Sequence, residues 1–134
     1  MSHTLSREIA MKRLYAETVG GTDSMEDAVE QSEHDMFSEE DMLFSDRLYE
    51  GVLAHLTEID REIESHAKDW SLSRIAKVDL SILRVAVYEL LYERGIPVGA
   101  TVNEAVELAK VFGGEKSAGF INGVLGAVAK VHEA

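Results

Sequence analysis

The chain has no cysteine, one proline and one tryptophan in 134 residues. Without thiols there is neither a disulfide scaffold nor a zinc–thiolate centre, and side-chain hydroxyls are left as the only Ser/Thr-type nucleophiles. A single proline leaves few breakers for helices. No apolar run approaches the roughly 20 residues that a bilayer-spanning helix needs. Met1 to Arg13 alternates polar and apolar residues and carries no apolar stretch of a secretory leader. The expectation is one soluble, cytoplasmic domain with no membrane association. A hydrophobic fraction of 46% against 28% charged residues is ordinary for a globular fold, and the length supports a core without staples.

Positive charge is also scarce. Thirteen Lys and Arg face 25 Asp and Glu, a formal charge of −12. A uniformly acidic surface would repel phosphate. The charge is not uniform, however. Residues 1–16 carry +2, residues 17–66 carry −14 and residues 67–134 are neutral overall. The acidic middle reads as a solvated face, and both ends remain open to an anion.

Catalytic patterns are missing as well. The histidines are His3, His34, His55, His66 and His132. None has the His-Glu-x-x-His or Glu-x-x-His spacing that sets metal ligands on one helix face. Glu30/His34 and Glu62/His66 are four apart and read as exposed helix pairs. There is no phosphate loop, calcium loop or Gly-x-Ser-x-Gly elbow. The reading is therefore of a protein that is not an enzyme and uses no metal and no cofactor.

What is present is helical periodicity. A first helix is expected from about Ser6, as N-cap, to Val19, with Gly20-Gly21 as its stop. At about 100° per residue, Arg7, Ala10, Met11, Leu14, Tyr15 and Thr18 share one side, flanked by Lys12 and Arg13. Residues 22–37 read as an acidic connector with a short helix from Ser24. Ser38-Glu39-Glu40-Asp41 marks a capped start with acids in the first turn. Helices are then expected from there to Leu56 and over 58–68. Ser73-Arg74-Ile75 suggests one further turn. The segment 79–94 is apolar on most faces, as a central helix is. Thr101-Val102-Asn103-Glu104 has the form of a capping box before a helix ending at Phe112. The last helix, 115–131, contains Gly119, Gly123 and Gly126. At about 1 kcal/mol each against Ala, these suggest close backbone approach to a neighbour or a ligand, with packing the favoured reading. No strand alternation occurs anywhere.

Five blocks then stand in a specific order over residues 70–126. They are Ile82-Leu83-Arg84-Val85-Ala86-Val87-Tyr88-Glu89-Leu90, Ile96-Pro97, Asn103-Glu104-Ala105-Val106-Glu107-Leu108-Ala109-Lys110, Phe112-Gly113 and Phe120-Ile121-Asn122-Gly123-Val124-Leu125-Gly126. Together they resemble the NusB family. Arg7-Glu8, Ala10 and Leu14-Tyr15 add a weaker match, and residues 16–45 match thinly. The resemblance implies an all-α fold of about seven helices in two packed small bundles, here a single domain 1–134 with subdomains 1–69 and 70–134. It implies a transcription antitermination factor. Such a factor binds the single-stranded boxA element of nascent ribosomal RNA together with NusE, a small-subunit ribosomal protein, and joins the RNA polymerase antitermination complex.

By the same resemblance, the RNA-binding positions are Arg7, Tyr15, Lys116 and Phe120, with Lys12 and Arg13 nearby, and Asp79 lies toward the protein partner. Each has a rival reading from the residues alone. Arg7 shares a face with apolar residues and fits a buried ion pair. Tyr15 and Phe120 fit the core edge, and Lys116 fits plain solvent charge. Asp79 fits the N-cap of the central helix. One departure bears on affinity: the family's arginine cluster before Arg7 is replaced by Ser2-His3-Thr4-Leu5-Ser6. Fewer phosphate contacts imply weaker, less salt-dependent binding. An alternative is the same fold used as a protein-interaction module with little RNA affinity. Another is an RNA-recognition domain of a ribosomal RNA methyltransferase, which requires the chain to be a fragment. A homodimer is left open.

Overall fold

The computed structural model describes residues 3–20, 38–67 and 71–132. Six α-helices and one 3-10 turn make up the described residues. They are α1 (Thr4–Thr18), α2 (Glu39–Ala54), α3 (Leu56–His66), the turn Leu72–Arg74, α4 (Lys77–Tyr92), α5 (Val98–Phe112) and α6 (Ser117–His132). No strand occurs among them. The expected short helix from Ser24 and the pair Glu30/His34 lie outside the described residues.

α2 starts as its sequence dictates. The Ser38 hydroxyl accepts from the Asp41 backbone N–H, and the Asp41 carboxylate accepts from the Ser38 N–H, closing a capping box. Other local signals are overridden by tertiary partners. Ser6 does not cap α1. It lies inside the helix, fully buried, and donates to the Asp41 carbonyl of α2 at 3.0 Å. Thr101 does not cap α5 either, because the helix begins at Val98 behind Pro97. Pro97 supplies the extended backbone, and Thr101 turns inward to donate to Glu89. Gly95 takes a φ of +87°, which lets the chain reverse after α4 at no Cβ cost.

α4 is the centre. Ten of its sixteen residues are buried, as its nearly all-round apolar sequence requires. All five other helices pack on it. Around it, Met11 and Leu14 of α1, Leu48 and Val52 of α2, Ile59 and Ile63 of α3, Leu108 of α5, and Ile121 and Leu125 of α6 join one apolar core. Two arginine forks fasten its polar sides. Arg84 donates to both Asp60 oxygens at 2.9 Å, tying α4 to α3, and reaches Thr18 of α1 at 3.3 Å. Arg7 of α1 donates to both Glu89 oxygens at 2.7 Å.

The glycines of α6 are a correction to the sequence reading. Among the described residues, a Cβ at Gly119, Gly123 or Gly126 would meet nothing within 4 Å, so no described neighbour requires them. Gly119 and Gly123 line an open hollow of about 370 Å³ with His66, Ala67, Phe120 and Val124. The close approaches are at two other glycines. Gly51 of α2 lies against the Tyr88 ring, and Gly113, after α5, lies against Ser117 and the Ala109 carbonyl.

Candidate nucleic-acid interface

α1 presents its cations in opposite directions, as its wheel predicts. Lys12 turns toward α5. Its ammonium pairs with Glu8 at 3.0 Å and stands 5.0 Å from the Phe112 ring centre. Arg13 turns toward α2. Its guanidinium lies 3.9 Å from the Tyr49 ring centre and pairs with Asp46 at 2.9 Å. Tyr15, three residues beyond Lys12, is its neighbour on the helix surface and is 37% exposed.

Arg7 is not on that surface, which corrects the expectation that it meets phosphate. It is 4% exposed, and its fork is filled by Glu89, itself 2% exposed. The remaining guanidinium nitrogen points to Glu104 at 3.4 Å. The shared face with apolar residues is the reason: a charge on that face is carried into the core and survives there only when paired.

The other half of the surface is built by the turn between α5 and α6. Phe112 ends α5. Gly113 continues with extended backbone, and its missing Cβ leaves room for Ser117. The Gly114 N–H donates to the Ser117 hydroxyl at 2.9 Å, which fixes the start of α6. Lys116 stands exposed at that corner and makes no ion pair with a described residue. One turn later Phe120 is half-buried between two hollows. One is the glycine-lined hollow of α6. The second, about 440 Å³, is lined by Arg74, Ile75, Asp79, Lys116, Ser117 and Phe120, among others.

Asp79 occupies the wall of that second hollow. It is the third residue of α4, and Ala76 rather than Asp79 stands at the cap position, so the capping role is corrected. Its carboxylate still faces the positive end of the helix. It is 7% exposed, and its Oδ1 has no hydrogen-bond partner among the described residues. A buried carboxylate oxygen without a donor is costly, and a donor brought by a partner would satisfy it.

The structure thus brings Lys12 of α1, with Tyr15 beside it, to Phe112 at the end of α5, and the chain then turns to Lys116 and Phe120 at the start of α6. α5 lies between the two ends of this set. Arg13 faces away from it, and Arg7 lies beneath it. Phe112 and Arg74 were missed in the sequence. Phe112 reads as an ordinary core residue of α5, and Arg74 sits in a stretch with no periodicity to give it a face. Among the described residues no group of three or more His, Asp or Glu is placed to hold a metal. No helix there is long and apolar enough to cross a membrane.

The molecule is therefore of the class of small all-α proteins, with cations and aromatic rings on α1 and around the α5–α6 turn and a buried carboxylate at Asp79. Residues 4–130 match the NusB family. The chain is 44% identical to the transcription antitermination protein NusB of Acetivibrio thermocellus, covering 98% of this chain and 90% of that one. It is 45% identical to the protein of the same name from Geotalea daltonii, covering 92% and 90%. Among solved structures, T. maritima NusB superposes with a TM-score of 0.86 at 32% identity over 100% of this chain and 94% of that one. A structure of the antitermination factors NusB and NusE in complex with double-stranded RNA superposes with a TM-score of 0.83 at 27% identity over 96% of each. This chain belongs to the NusB family.

Proposed function

We propose that the chain is a cytoplasmic transcription antitermination factor that binds boxA-type RNA at the corner formed by α1, the α5–α6 turn and the start of α6. It does so together with a NusE-type ribosomal protein and carries both into the RNA polymerase antitermination complex. It is an adaptor, not an enzyme. The observation that carries this reading is the 5.0 Å Lys12–Phe112 contact, which brings α1 to the end of α5, just before the turn that leads to Lys116 and Phe120. Lys116 supplies charge for phosphates, Lys12, already paired with Glu8, supplies less, and Tyr15 and Phe120 supply ring faces. Stacking on a half-exposed ring suits unpaired bases and is worth about 1–3 kcal/mol per base. Arg13, paired with Asp46, contributes less than its charge suggests. Asp79 belongs to the protein side, where its unpartnered oxygen accepts a donor from the ribosomal protein.

A second reading, a protein-interaction module with little RNA affinity, draws on the inward turn of Arg7 and the pairing of Arg13. One titration separates the two. Gel shifts with boxA RNA are run across salt concentrations, with and without the NusE-type protein, for the wild type and Phe120→Ala. Wild type should bind, more tightly with the partner, and Phe120→Ala should lose about tenfold while keeping its helical content. Partner binding without any RNA shift favours the second reading. An unchanged affinity for Phe120→Ala removes the stacking role.

A further inference from the structure

Both halves of the corner hang from one buried carboxylate. Glu89 of α4 receives Arg7 of α1 through two 2.7 Å bonds, and the same Oε1 accepts the Thr101 hydroxyl of α5 at 3.0 Å. A second link runs outside the first. Arg7 reaches Glu104 of α5 at 3.4 Å, and the Thr4 hydroxyl of α1 donates to Glu104 as well. The Arg7 and Glu89 side chains are 5% and 0% exposed, and that of Glu104 is 21%. Three helices are thus joined through polar groups that water barely reaches.

Such an arrangement contributes geometry more than stability. Apolar packing between two helices tolerates small rotations and slides, whereas a two-bond guanidinium–carboxylate fork has one good angle. Downstream of the fork, α1 carries Lys12 and then Tyr15, the latter eight residues beyond Arg7, or about 12 Å along the axis. Downstream of Thr101 and Glu104, α5 carries Phe112 and delivers the turn to Lys116 and Phe120. A rotation of α1 or α5 about the fork would separate Lys12 from Phe112 before it disturbed the core.

We propose that Glu89 is the positioning residue of the RNA surface: by holding Arg7 and Thr101 at once, it sets α1 against α5 and so fixes Lys12 and Tyr15 relative to Phe112 and Phe120, without touching RNA. This rests on the RNA-binding reading above. In the same arrangement Arg7 acts through Glu89 and makes no phosphate contact.

The test uses the full chain and boxA RNA. The double variant Arg7→Met/Glu89→Met removes the fork and leaves no buried charge unpaired. Thr101→Val trims only the α5 link and keeps the ion pair, so it covers the case in which the double variant does not fold. Two quantities are read for each folded variant. The first is RNA affinity as a function of salt. The second is the ring-current shift of the Lys12 side-chain protons over Phe112, seen by NMR without RNA. The expected result for the double variant is an affinity loss of about tenfold together with loss of the ring-current shift. Thr101→Val should show the same changes to a smaller degree. A salt slope lower by about 0.7, the share of one single-strand phosphate, with the ring-current shift retained would make Arg7 a direct contact and overturn the proposal. Retention of both affinity and ring-current shift would overturn it too. If wild type fails to bind RNA, the functional reading fails, while the ring-current shift still decides whether Glu89 sets the helices.

Discussion

At the scale of single residues, the tightest constraint lies where nothing polar is at stake. Gly51 faces the Tyr88 ring so closely that a Cβ would overlap it. The ring cannot retreat easily. Tyr88 is 7% exposed, its hydroxyl donates to Glu93 at 3.0 Å, and Tyr92 and His55 close the other side. Gly51→Ala raises helix propensity by up to about 1 kcal/mol, but overpacking a core costs about 1–3 kcal/mol. The clash wins, and the variant should lose about 1–2 kcal/mol in urea unfolding. A variant as stable as wild type would mean that α2 shifts freely away from α4. The same scale shows what the sequence carries. The wheel placed Arg7 among apolar residues, so its burial was legible. Its partner was not, because Glu89 lies 82 residues on and becomes a neighbour only when α1 crosses α4. Ser6, Thr101 and Asp79 all have side chains that cap helices, and each has another use here. A cap pattern is local, and a stronger tertiary contact overrides it.

At the scale of elements, the helices themselves were legible because period 3.6 is written into most of them. The α6 glycines were misread for an instructive reason. Small residues in a helix look alike whether they face a neighbour or an open hollow, and only the fold distinguishes the two. The α1–α2 pair carries a different kind of information. Its outer seam is polar: the Tyr49 hydroxyl donates to Glu17, and Arg13 bridges the Tyr49 ring and Asp46. Burial raises the Tyr49 pKa above the ordinary phenol range, with the Glu17 bond and charge adding to it and Arg13 opposing. Burial also raises Tyr88, reinforced by Glu93. A phenol raised in the folded state keeps its proton more tightly there than in the unfolded chain. Its contribution is thus complete below the unfolded value of about 10 and is lost as pH climbs through the raised folded value. Urea midpoints measured from about pH 8 to 11 should fall at the alkaline end, and Tyr49→Phe should fall less steeply than wild type. Identical alkaline slopes would show that the Tyr49–Glu17 bond does not couple α1 to α2.

At the scale of the whole molecule, the arrangement around α4 decides how the chain unfolds. The halves 1–69 and 70–134 read from the sequence as two small bundles. We expect them to behave as one unit, because no helix has a core of its own. Ile59 and Ile63 of α3 share a cluster with Leu83 of α4 and Val128 of α6, and Met11 of α1 shares it with Leu108 of α5. The buried fork Arg7–Glu89 and the part-buried fork Arg84–Asp60 each join a helix of the first half to α4 in the second. Separating the halves would expose that apolar surface at about 25 cal/mol per Å². It would also break both forks. Neither half recovers these terms alone. Urea unfolding should therefore follow a single transition, with far-UV circular dichroism for helix content and near-UV signals from the tyrosines giving the same midpoint. Tyr49 lies in the first half, and Tyr88 and Tyr92 lie in the second, so the near-UV probe samples both. Two separated midpoints would show that the halves are independent domains. The proposed RNA corner, which takes Lys12 from one half and Phe112, Lys116 and Phe120 from the other, would then be assembled by binding instead of by folding.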